Sequence, residues 1–167
     1  MKALVGQLAP GGRDYRARPV DLEGQPSWTL AQLWLMWQRK FLGDTFRMVE
    51  ELLHRDWSVL ANSEWPHPVA EASTAEWAFV SGVGRAWPMA ETGMTHFGSL
   101  PAERPTEPAW AYLWEHGLEA LHVYASHGGR WHHLATLPAD VWAGLTTQLV
   151  IDVEARLSWL EREEAAA

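Results

Sequence analysis

The sequence predicts a mainly all-α domain: a four- to five-helix bundle with one long irregular excursion at its centre. Three observations predict it. Apolar side chains recur every three or four residues over 28–56, 106–127 and 139–163, the spacing that lines one face of a helix. Ser27, Asp44, Ser73 and Thr106 stand where helix caps belong. Glycine pairs and proline-rich stretches separate the stripes. At 167 residues the chain is one domain, long enough to bury a core without disulfides or metal.

Residues 1–26 read as an extended N-terminal arm. They hold Gly11-Gly12, Pro10 and Pro19, show no periodicity, and carry Arg13, Arg16 and Arg18. Four basic and three acidic residues give the arm a charge of +1 against −9 for the rest. An arm opposite in sign to its body suits lying on that body or on a neighbouring subunit.

Residues 27–163 form the single helical domain. Ser27 caps the first helix, whose stripe is Leu30, Leu33, Trp34, Trp37 and Phe41. Gly43-Asp44 interrupts it before Met48, Leu52 and Leu53. Either one kinked helix spans 28–56, or two helices do, with Asp44 capping the second. Residues 57–72, with Trp65-Pro66-His67-Pro68, read as loop. Ser73-Thr-Ala-Glu76 matches a capping box and opens a helix near 74 that ends by about 86. The excursion follows, from Trp87 to Pro108, a length of irregular chain that usually carries function.

Thr106 caps the third helix, with Trp110, Leu113, Trp114, Leu118, Leu121 and Tyr124 on one face, and Gly128-Gly129 stops it. The rival reading makes 121–127 and 130–137 a hairpin around that glycine pair. The helix has more matches and is preferred. The last helix runs over 139–163 on Trp142, Leu145, Leu149, Val153, Leu157 and Leu160. Residues 164–167 form a disordered tail.

Composition limits function. The net charge of −8 argues against nucleic acid, whose phosphates need a cationic face, and suits a basic protein partner. No cysteine is present, which removes thiolate metal sites, disulfides and cysteine nucleophiles. No apolar run reaches the length of a membrane helix, and the start of the chain is not signal-like, so a cytoplasmic protein without a membrane partner is expected.

Two Glu-x-x-His pairs, Glu51/His54 and Glu119/His122, echo the ligand set of di-metal carboxylate bundles, in which carboxylates bridge two hard cations. On a third helix the phase puts Glu119 and His122 away from the apolar stripe, with Glu115 beside them, so the pair is kept only as an alternative metal site. Paired with Glu119, His122 or His133 would form a pH-sensitive contact. His127, His132 and His133 flank the glycine pair without the spacing of a zinc site. No nucleophile elbow or phosphate cradle is present. No cofactor is expected.

Twelve tryptophans are the strongest compositional signal. Trp34, Trp37, Trp110, Trp114 and Trp142 sit on stripes and belong to the core. Trp28, Trp57, Trp77, Trp131 and Trp159 read as boundary rings with a polar handle. Trp65 and Trp87 each precede proline in a loop and read as core lids or as anchors for a partner. Arg85, His96 and Phe97 are their loop neighbours. The functional expectation is a non-enzymatic protein-interaction module of the inhibitor, immunity or assembly-factor kind, presenting Trp65, Trp87, Arg85, His96 and Phe97. The alternatives are a metal-binding bundle enzyme and a tryptophan-lined small-molecule site.

Overall fold

The computed structural model describes residues 2–63, 78–88, 92–106 and 109–167. A mixed β-sheet, not a helical bundle, forms its centre. Among the described residues the sheet has nine strands: β1 (Lys2–Leu8), β2 (Asp14–Val20), β3 (Trp57–Leu60), β4 (Ala78–Val80), β5 (Gly84–Ala86), β6 (His96–Ser99), β7 (Ala109–Trp114), β8 (Ala120–His127) and β9 (Arg130–Pro138). Their order is β4-β5-β3-β2-β1-β7-β8-β9, and β6 lies along the first half of β2. Neighbours are antiparallel except β1 with β7 and β2 with β3.

The helices are α1 (Pro26–Leu35), which runs into a π-helical turn over 36–40, α2 (Thr45–Leu53), α3 (Ala139–Ala143) and α4 (Thr147–Ala166). Their buried side chains share one core with Ala3, Val5, Trp110, Tyr112, Trp114, Leu121 and Val123. Those strand residues alternate, so they mark the helix-covered face of the sheet. Trp142 of α3 stands edge-on to Trp37 and Trp114 at centroid distances of 6.2 and 6.1 Å, the geometry aromatic rings favour.

The helical expectations at both ends of the domain find their elements. Two helices occupy 26–53, and the Asp44 side chain accepts a hydrogen bond from the Arg47 N–H, capping the second. Gln25, not Ser27, is the first N-cap, with Pro26 starting the helix. The Ser27 N–H instead donates to Glu154 of α4 at 2.6 Å. The last helix is broken at Gly144, and Thr146 caps α4 by accepting from Leu149 N–H.

The remaining expectations are corrected. The segment read as an arm, 1–26, supplies β1 and β2 in the middle of the sheet. Strand β1 is buried on both faces (Ala3, Val5 and Leu8 are all under 4% exposed), so its sequence lacks the alternation that marks a half-exposed strand. The loop read over 57–72 begins with β3, and Trp57 is wholly buried rather than at a boundary. Most of the helix read over 106–127 is β7 and β8. Trp110, Tyr112 and Trp114 face the helices while Ala111 and Leu113 face the other side, and a strand buried on both faces imitates a helical stripe. The Gly128-Gly129 hairpin is formed. Both glycines have positive φ, 58° and 72°, as a tight two-residue hairpin turn requires. The 73–76 capping box lies outside the described residues, and the rest of the helix read to about 86 is instead the antiparallel pair β4 and β5.

No helix among the described residues is long and apolar enough to cross a membrane.

Two substitutions test this architecture. A Cβ on Gly6 would collide with the Arg16 carbonyl and come within 2.7 Å of Ala17 Cα, both backbone atoms that cannot turn aside. Gly6→Ala is expected to lower the urea-unfolding free energy by about 3 kcal/mol, and Asp44→Ala, which loses only an exposed cap, by about 1 kcal/mol. Equal losses would contradict the close β1–β2 approach.

Candidate functional site

No side chain of the described helices enters the small core on the second face of the sheet. Its small core is Leu8, Tyr15, Ala17, Ala111, Leu113 and Tyr124, with Leu4, Leu100 and Trp131 packed against it. Strand register explains the arrangement. Pro19, Leu4, Ala111, Tyr124 and His133 stand in one row across β2, β1, β7, β8 and β9. Ala17, Gly6, Leu113, His122 and Thr136 form the next row, and β6 extends it with His96. Small residues fill the middle, while aromatic and imidazole rings stand at both sides.

On one side Glu103 is the hub. Its carboxylate accepts from the Tyr15 hydroxyl of β2, from His96 Nε2 of β6 at 2.8 Å and from Trp131 Nε1 of β9 at 3.2 Å. These bonds fasten residues 100–106 over the open face. Gly98 makes room for them, because a Cβ there would meet the Glu103 carboxylate and the Tyr15 ring. Burial alone would raise the Glu103 carboxyl, but the hydrogen bonds from Tyr15, His96 and Trp131 outweigh it and hold the group below its usual range. Burial, joined by the adjacent carboxylate, pushes the Tyr15 phenol well above its usual range, so it stays a donor.

On the other side two histidines meet. His122 Nδ1 is 3.0 Å from His133 Nε2, and the Thr136 hydroxyl lies 3.2 and 3.1 Å from the same two nitrogens. His122 Nε2 bonds the Glu115 carboxylate at 2.9 Å. That bond places the Nε2 proton and leaves Nδ1 as an acceptor. Burial, then the neighbouring His122 and Arg156, hold His133 below the usual imidazole range. Carboxylate, imidazole and hydroxyl in this order can activate a nucleophile. Here His133 shares the nitrogen that the hydroxyl would need, and the group works as a cross-strand clamp. A cavity of about 370 Å³ touches its Glu115 and His122 members and the neighbouring Tyr124.

The residues predicted from sequence are dispersed. Trp65 lies outside the described residues. Trp87 is half-buried and its indole N–H donates to Asp21 at 2.8 Å, which is the lid arrangement. Arg85 sits on β5, opposite Val59 of β3. His96 and Phe97 are neighbours on β6 and, by strand alternation, face opposite ways. His96 turns to Glu103, and Phe97 is 73% exposed.

Glu51 belongs to α2 and His54 is its C-cap, on the covered side of the sheet. His122 stands on the open face and Glu119 in the β7–β8 connection, so the sheet separates the two pairs. The bundle that a di-metal site needs is absent, because β8 is a strand. No group of three or more His, Asp or Glu placed to hold a metal occurs among the described residues. His122 pairs with Glu115 and His133, not with Glu119.

Tyr15, Glu103 and Thr136 went unread as site residues. The hairpin reading would have found Thr136, since it sets His122 and His133 on adjacent strands. Nothing local marks Glu103 as a hub, because two of its three partners, Tyr15 and Trp131, come from strands 88 and 28 residues away.

Acid is expected to loosen the histidine clamp. Because folding holds His133 low, the folded state binds fewer protons than the unfolded chain below the ordinary imidazole pKa of 6.5. The stabilisation is complete above that pH and is lost as pH falls through the lowered value. Between about pH 7 and about pH 5 the thermal midpoint should fall more steeply in the natural protein than in His133→Gln. Parallel curves would show that His133 does not titrate against the fold.

No family model, curated protein or solved structure matches this chain, so the site's own chemistry carries the functional argument.

Proposed function

We propose that the protein is a non-enzymatic interaction module that takes a protein partner on the surface around β6. One observation carries this reading. Phe97 on β6 is 73% exposed and Met94, just before it, is 91% exposed. Lone exposed apolar residues are ordinary, but large ones gathered in one place mark binding surfaces.

The register extends the patch. Phe97 lies opposite Arg16 of β2, and Arg16 reaches Glu50 of α2 at 3.2 Å. One helical turn before Glu50 is Phe46, 63% exposed, and Leu42 ahead of it is 85% exposed. The Arg16–Glu50 pair therefore links two exposed apolar segments, one on β6 and one at the start of α2. Beside Phe97 a cavity of about 670 Å³ opens between β6 and the β1–β2 turn, a concave place for a partner's side chain. Strand β6 pairs with β2 alone among the described residues, which leaves main-chain groups for an added strand. The charge of −8 favours a basic partner, and the cysteine-free composition suits a cytoplasmic setting. The anchor role falls to Phe97 and Met94, with Trp87 as a lid.

The test compares surface and lid. Phe97→Asp with Met94→Asp should abolish co-purification of the partner while changing unfolding free energy by no more than about 0.5 kcal/mol. Trp87→Ala should cost at least about 1 kcal/mol and leave the partner bound. Retained binding in the double variant would remove the proposal.

A further inference from the structure

The cleft between residues 100–106 and the open face has chemistry of its own. It is a cavity of about 790 Å³ that the strand residues Leu4, Pro19 and Trp131 help to line. That volume falls in the range of small-molecule sites, which are mostly apolar with a few placed polar groups. Its charges are arranged in two kinds. Glu103 supplies a carboxylate on the 100–106 segment, and Lys2 and Arg104 supply cations.

Each charge has capacity left. An ionised carboxylate offers about four lone-pair positions, and Tyr15, His96 and Trp131 occupy three at Glu103. Among the described residues the Arg104 guanidinium donates only to the carbonyls of Pro101, Ala102 and Glu103, at 3.3, 3.4 and 3.0 Å. Neither Lys2 nor Arg104 takes part in an ion pair among the described residues. A ligand bearing only a cation would meet Lys2 and Arg104 as like charges, and one bearing only an anion would meet Glu103. A molecule carrying both charges on an apolar body satisfies all three groups.

We propose that this cleft binds a small zwitterion with an aromatic body, of the α-amino-acid class. The ammonium group bonds Glu103, the carboxylate lies toward Arg104 and Lys2, and the ring packs against Trp131, Leu4 and Pro19. The site goes beyond the partner surface and is separable from it, since His96 and Phe97 of one strand point to opposite faces.

L-phenylalanine, phenethylamine and 3-phenylpropionate are the probes, titrated into the full chain by calorimetry with the Trp131 indole N–H followed by NMR. L-phenylalanine is expected to bind and to shift that N–H resonance. Removing its carboxylate (phenethylamine) or its amine (phenylpropionate) should each weaken binding about tenfold. Arg104→Gln, an exposed change that leaves the fold intact, should narrow the difference between L-phenylalanine and phenethylamine, and Arg104→Gln with Lys2→Gln should erase it. Glu103→Gln should erase the difference between L-phenylalanine and phenylpropionate. An L-phenylalanine Kd weaker than about 1 mM overturns the proposal. So does equal affinity for L-phenylalanine and phenethylamine in the natural protein, or an unmoved Trp131 resonance.

Discussion

Strand β1 is hydrogen-bonded along both edges, antiparallel to β2 and parallel to β7, and is buried on both faces. Its place in the middle sets the geometry of everything else. Odd positions Ala3 and Val5 receive the helices, and even positions Leu4 and Gly6 floor the open face. Gly6 lets the β2 backbone approach closely at Arg16 and Ala17, and the next residue, Arg18, lies opposite Val5. Arg18 is almost wholly buried, donates to the Leu53 carbonyl at 2.8 Å and pairs with Asp56 at 3.2 Å. A buried arginine at a helix C-terminus finds both the helix dipole and a carboxylate, which offsets its desolvation. The same guanidinium holds the Gly93 carbonyl, and Asp56 accepts from the Gly93 N–H, so the chain is delivered to the start of β6.

From that point the alternation of β6 divides the chemistry. His96 joins the Glu103 network on the open face, while Phe97 emerges beside Arg16 on the other side. A one-residue slip of β6 against β2 would exchange them, putting an imidazole among exposed apolar residues and a phenyl ring on a carboxylate. Register is pinned by Gly98, since only a residue without a Cβ fits beneath Glu103 and Tyr15. The position of both surfaces therefore follows from one glycine and one buried ion pair.

The helices could be read in the sequence because their stripes are one-sided. Leu30, Leu33, Met48 and Leu52 are buried and the polar residues beside them are not, except Thr29, whose hydroxyl donates to the Glu23 carbonyl. The strands could not, because β1 and β7 bury both faces. Ala-Trp-Ala-Tyr-Leu-Trp in β7 has neither a polar side nor a turn within it, and periodicity cannot tell such a run from a helix. Enrichment in aromatic residues, and the glycine pair after β8, favoured strands, and weighting them above the count of matches would have recovered the β8–β9 hairpin. The candidate site was legible only in part. His96 and Phe97 were singled out from loop position alone, and His122 from a helical motif that does not exist. Glu103 was invisible because Tyr15 and Trp131, 88 and 28 residues away in the chain, join His96 around it only once the sheet has formed.

The open face also shows why the polar networks are there at all. Ala17, Ala111 and Leu113 have no exposed surface although no described helix covers them. The rings of Tyr15, Tyr124 and Trp131 lie over them instead. Each such ring buries a large apolar area but carries a polar end that needs a partner. Tyr15 and Trp131 bring theirs to Glu103, and Tyr124 packs on the imidazoles of His122 and His133. A layer of leucine would have covered the strands without any of this. Covering them with amphipathic rings obliges the fold to place a carboxylate and a histidine pair at the surface, where their remaining bonding capacity faces the clefts. Closing the core and furnishing a polar surface are here one event, and a substitution that disturbs either network acts on both.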